Sequence, residues 1–180
     1  WRKDHPQFNP ARLPLKNAKT HVLSLALRGL GEAQRSVLHT LAAFRMPATW
    51  DTLVALLVGK HRACDDDRAL DRILTEVEDR GLLGWDRAAN RYDLHPIVRN
   101  VVWTTLNANS KCELLIPLRD YFTTKMRLPA YKAIDRVEDL TAVIELFYIL
   151  IGLGRRDEAC DLFMDELDFL TLHFLSANRE

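Results

Sequence analysis

Three groups of residues in this 180-residue sequence have types and spacing that could do chemistry. The first is His61-x-x-Cys64 followed by Asp65, Asp66 and Asp67. Imidazole, thiolate and carboxylate all ligate metals, but a structural site needs a second spaced pair and the sequence supplies none. The simpler reading is a solvated acidic loop leading into a helix cap. The second group is Arg87 and Arg91, at either side of a polar turn, where two guanidinium groups could contact phosphates. The third is Leu94-His95-Pro96. A histidine just before a proline stands where a helix starts, and by position alone it is expected to hydrogen-bond the hairpin that precedes it.

The motifs of autonomous catalysis are missing. There is no G-x-x-x-x-G-K-[ST] phosphate loop and no G-x-G-x-x-G, so the chain alone is not expected to hold a nucleotide tightly. G-x-S-x-G and H-E-x-x-H are absent too, and the six histidines are scattered. The expectation is a non-enzyme with no catalytic residue, no metal ligand and no cofactor of its own.

The elements that position these residues can be read from periodicity. Leu70, Ile73, Leu74 and Val77 form an apolar stripe at helical spacing. Asp67 is the expected cap, and Gly81 the left-handed residue just past the helix end. Leu82, Leu83 and Trp85 read as a short strand, residues 86–90 as a turn, and Tyr92 and Leu94 as a returning strand. Pro96 then opens a helix to residue 106, with Ile97, Val101 and Val102 on one face and Trp103 beside it. Upstream, residues 20–30, 32–44 and 49–57 read as three helices, the last capped by Thr49. Three helices, a fourth, and a two-stranded wing give a winged helix-turn-helix layout.

Downstream, Ser110-x-x-Glu113 is the expected capping box of a helix that Pro117 should kink. Residues 137–153 are apolar nearly all round, as in a helix packed on two sides, and Glu145 interrupts the run from Leu140 to Leu153. With residues 155–167 they form a helical hairpin of tetratricopeptide-like form. Ala159 fits the small position of the second helix, whereas Phe147 and Glu166 stand where that repeat has small residues. A further helix is expected from Leu170. The fold class expected is therefore mainly α, a winged helix with a small β-hairpin followed by a helical hairpin. The divisions are a proline-rich connector at residues 1–19, a winged helix at 20–107, a kinked connector at 108–136 and a truncated repeat-like hairpin at 137–180.

Bulk properties narrow the partners. Lys plus Arg and Asp plus Glu are 25 each, so no global basic field gathers nucleic acid or anionic lipid. The expected recognition helix, residues 68–80, carries Arg68, Arg72 and Arg80 against Asp71, Glu76, Glu78 and Asp79, a net negative face that repels phosphate. DNA and membranes are therefore not the expected partners. Cys64, Cys112 and Cys160 are far apart, which fits a reducing, cytoplasmic compartment rather than a disulfide framework. The chain begins at Trp1 with no signal peptide visible, and is read as an excerpt of something longer.

One arrangement is more particular than the fold. Leu70 and Leu74, then Gly81-Leu82-Leu83, an aspartate-bearing hairpin, and Tyr92, Leu94-His95-Pro96 and Arg99 resemble the winged-helix domain of STAND NTPases, the signal-transduction ATPases that include NB-ARC and NLR proteins. The resemblance covers residues 20–107. It implies that the domain packs on an upstream nucleotide-binding module of the same polypeptide and holds it in an ADP-bound, inactive state. It implies that His95 reaches the β-phosphate of ADP, with ADP or ATP the cofactor of the full-length parent. Tetratricopeptide-like repeats that sense a protein or small ligand commonly follow. The departure is the missing Walker motifs, so the excerpt alone is expected neither to bind nucleotide tightly nor to hydrolyse it. Two other readings stand beside this one: a winged-helix DNA-binding regulator with residues 108–180 as its dimerisation or ligand domain, and a helical protein-interaction scaffold.

Overall fold

The computed structural model describes residues 23, 27, 29–126 and 137–168. The connector expected at 1–19, most of the helix expected at 20–30 and the helix expected from Leu170 lie outside the described residues. Among the described residues the chain is mainly helical with one small antiparallel sheet. Helix α1 (Glu32–Ala43) leads to strand β1 (Ala48–Thr49), α2 (Trp50–Leu57) and α3 (Asp67–Asp79). Strands β2 (Leu83–Asp86) and β3 (Arg91–Leu94) form a hairpin, followed by α4 (Pro96–Thr105) and α5 (Ala108–Lys125). A short 3-10 turn (Val137–Leu140) opens α6 (Thr141–Gly152), and α7 (Arg156–Leu162) runs into a π-type turn (Phe163–Asp168).

The stripe expected on α3 is its buried face: Leu70, Leu74 and Val77 are at most 2% exposed. The cap is Asp66 rather than Asp67, its carboxylate accepting from Ala69 N at 2.7 Å. Three consecutive aspartates could each cap; the burial of Leu70 sets the register and selects the first that fits. At the other end Gly81 has φ +69°, and Gly81 N and Leu82 N donate to Glu78 O (2.7 Å) and Val77 O (3.1 Å), a Schellman closure. An added Cβ there meets open space. Gly81→Ala should therefore cost about 1 kcal/mol, from the left-handed backbone alone, read as a lower denaturant midpoint at unchanged slope.

The sheet has the order β1-β3-β2. Leu83 pairs with Leu94 and Trp85 with Tyr92 across the hairpin, while Ala48 and Thr49 pair with Tyr92 and Arg91. Strand β1 has two residues and no period to read, so the sequence concealed it. Tyr92 packs between Trp85, stacked at 5.9 Å, and Trp50, at 6.4 Å. Thr49 caps α2 as expected, accepting from Thr52 N at 3.3 Å.

Two further expectations are corrected. Asn107, not Ser110, caps α5, its side chain accepting from Ser110 N at 2.8 Å; the helix has already begun where a Ser110–Glu113 box would start it. In α4 the inward residues are Val98 and Val102, while Ile97 is 44% exposed, because Pro96 at the first helical position places Val98 over the core.

One continuous core runs from Leu30 through Leu94, Val98 and Phe122 to Ala159 and Leu162. Its second half is organised by α5 against α6. An ideal Cβ on Gly152 would lie 2.7 Å from Leu115 Cδ1, so any side chain there would have to push the Leu115 methyl aside. Ala159 is fully buried between neighbours. No helix among the described residues is long and apolar enough to cross a membrane.

Candidate functional site

Of the chemistry-bearing residues, His95, Asp93 and Arg99 come together where β3 meets α4. His95 follows the last strand residue and caps the helix: its Nδ1 accepts from Ile97 N at 3.3 Å, and its own carbonyl accepts from Arg99 N at 3.0 Å. Pro96 occupies the first turn, where its missing N–H costs nothing. Because a backbone N–H must be the donor in the cap, Nδ1 of the neutral ring is the acceptor and Nε2 carries the proton. The side chain is exposed. The junction therefore presents one N–H donor beside the N-terminus of a ten-residue helix, a combination suited to an anionic oxygen. The expected hydrogen bond from His95 to the hairpin is replaced by this cap.

Arg99, one turn further on, pairs with Asp93 of β3. Strand end and helix start are thus tied together on either side of His95. Arg99 Nε is buried without a hydrogen-bond partner.

Behind Arg99 lies Glu145. It sits on α6 and is fully buried. Its carboxylate accepts from Arg45 N (2.8 and 3.1 Å, one to each oxygen) and from Met46 N (2.6 Å), in the elbow between α1 and β1. Burial pushes its pKa up to about 7; the two backbone N–H groups and the charges of Arg99 and Arg45 pull it back part of the way. Sequence reasoning treated Glu145 only as an interruption of an apolar run. The signal was there: a carboxylate on a helix that is apolar nearly all round must find donors inside the protein.

The remaining candidates fall elsewhere. Arg87 lies over the Trp85 ring, 5.2 Å from its centroid, on the exposed turn of the hairpin. Arg91 is half-buried and shares a shallow groove with Asp86, Asp93 and Glu138, so carboxylates outnumber it there. On α3 the exposed Arg68 and Arg72 stand among Asp67, Asp71, Glu76 and Asp79. Gly81 is a helix terminator remote in role from the His95 junction. Of the acidic loop, His61 is exposed with φ +65°, and Cys64 is buried, its thiol pushed up first by burial and then by Asp65 and Asp66. Among the described residues no three His, Cys, Asp or Glu side chains are grouped to hold a metal ion.

Neither a family model, nor a curated protein, nor a solved structure matches this chain.

Proposed function

We propose that this chain is a regulatory part of a STAND-type ATPase. In this reading residues 20–107 are a winged helix that packs on a nucleotide-binding module, and residues 137–180 begin a tetratricopeptide-like region that senses a protein or small ligand. The order helix, strand, two helices and hairpin, with the first strand pairing to the hairpin's second, supports the winged-helix assignment. The observation that carries the functional reading is the His95 cap: Nδ1 is committed to the helix start, leaving the Nε2 proton for an outside anion. Asp93 with Arg99, and Glu145 behind them, link that donor to the helical half. Nucleotide state at one end is thereby coupled to ligand binding at the other.

In the polypeptide that joins this chain to its nucleotide-binding module, His95→Ala should reduce the ADP that survives gel filtration; ADP retained at the wild-type level counts against the reading. The rival use, reading DNA, predicts a salt-sensitive gel shift that depends on Arg87 and Arg91. The acidic exposed face of α3 predicts none at low salt. A specific shift lost in Arg87→Ala would move the assignment to a DNA-binding regulator.

A further inference from the structure

Beside the His95 junction, a groove of about 390 Å³ opens between the two halves of the chain. Arg45 from the α1–β1 elbow, Arg99, Asn100 and Trp103 from α4, and Tyr148 and Ile151 from α6 line it. Its size suits a small-molecule ligand. The charged groups in its wall are two guanidinium groups and no carboxylate lines it; Asp93, paired with Arg99, and the buried Glu145 lie behind that wall.

We propose that this groove binds a small organic anion with a flat ring, an aromatic or heteroaromatic body carrying a carboxylate, sulfonate or phosphate group. Both arginines have donors to spare. Arg45 forms no ion pair among the described residues; its guanidinium rests over the Tyr148 ring, 5.0 Å from the centroid. Arg99 pairs with Asp93 through one terminal nitrogen; its Nε is buried, so what it offers a ligand is its terminal N–H groups. A planar fork of N–H groups matches a carboxylate or phosphate edge. Trp103 and Tyr148 give the groove aromatic walls for the apolar body; Arg45 covers one face of Tyr148 and Lys111, outside the groove, one face of Trp103. Asn100 adds an amide that can donate or accept. Because the groove exists only while elbow, α4 and α6 are packed together, an occupant stabilises that arrangement in proportion to its affinity. The assignment stands on the groove alone and needs no upstream module.

The test is a titration of the chain with naphthalene-2-sulfonate, followed by NMR at the Trp103 indole N–H and the Asn100 and Gly152 amides. The expected result is saturable shifts confined to the groove, with neutral 2-naphthol binding at least about tenfold more weakly, the loss that follows from one charge-assisted hydrogen bond. Arg45→Met keeps the backbone N–H that Glu145 uses and should weaken the sulfonate by a similar factor. Arg119→Met, which touches Asp120 on α5, should leave binding unchanged. Absence of saturation, equal binding of 2-naphthol, shifts centred elsewhere, or unchanged affinity in Arg45→Met would each overturn the assignment. The comparison of the two probes on the wild-type chain needs no variant to fold.

Discussion

Glu145→Ala is expected to destabilise the fold by about 2–4 kcal/mol, because it leaves two inward-facing backbone N–H groups without their acceptor and opens a cavity in α6. Those groups belong to Arg45 and Met46, about a hundred residues earlier in the chain, so the loss loosens α6 from the α1–β1 elbow. Glu145→Gln behaves differently. Both short bonds end on the same carboxylate oxygen, and an amide oxygen can replace it. Because the amide mimics the neutral carboxyl, its cost should be under about 1 kcal/mol near pH 4.5, and the difference should turn in favour of the variant towards pH 7.

The same residue sets a pH dependence whose sign is fixed by its raised pKa. The folded-state value of about 7 lies above the 4.5 of an ordinary glutamate, so the folded protein binds the proton more tightly than the unfolded chain. This contribution is complete below pH 4.5, declines as pH rises, and is gone above about 7. The decline amounts to about 3 kcal/mol between those limits. Urea denaturation across that window should show the wild type losing stability relative to Glu145→Gln. A constant difference between the two would show that Glu145 does not titrate in the folded protein.

Leu94→Ala is the second large effect. Leu94 is 1% exposed, pairs with Leu83 and immediately precedes His95. Truncation should cost about 2–5 kcal/mol, the range for a leucine whose cavity cannot collapse. Because β3 delivers the chain into α4, the loss should reach the cap as well. Hydrogen exchange at the Ile97 and Arg99 amides should then accelerate more than exchange at Leu118 on α5. Uniform acceleration would mean that Leu94 supports the whole core rather than this junction.

Much of this architecture was legible because it is local. The α3 stripe, Gly81 at the helix end, Thr49 as a cap and Pro96 at a helix start follow from period and backbone chemistry within a few residues. Cap positions shifted by one to three residues at Asp66 and Asn107, since neighbouring residues were equally competent and burial chose among them. Ile97 and Val98 differ by one position, about a hundred degrees around the helix, and only packing decides which turns inward. Strand β1 pairs across more than forty residues and has no pattern of its own. Glu145 was visible as an oddity, but its donors lie in an elbow that no sequence spacing connects to α6. The same holds for the groove, whose arginines come from separate elements brought together only by the fold.

Among the readings that fit this junction, the proposed ADP-holding role of His95 is the one with the most direct consequence. The decisive measurement is the dissociation rate of fluorescent ADP from a polypeptide that carries this chain with the nucleotide-binding module the proposal requires, wild type against His95→Ala. A lost hydrogen bond from Nε2 to a charged phosphate predicts release about tenfold faster or more. An unchanged rate, with the variant folded and the nucleotide bound, would contradict the proposal that this helix start holds the switch in its ADP state.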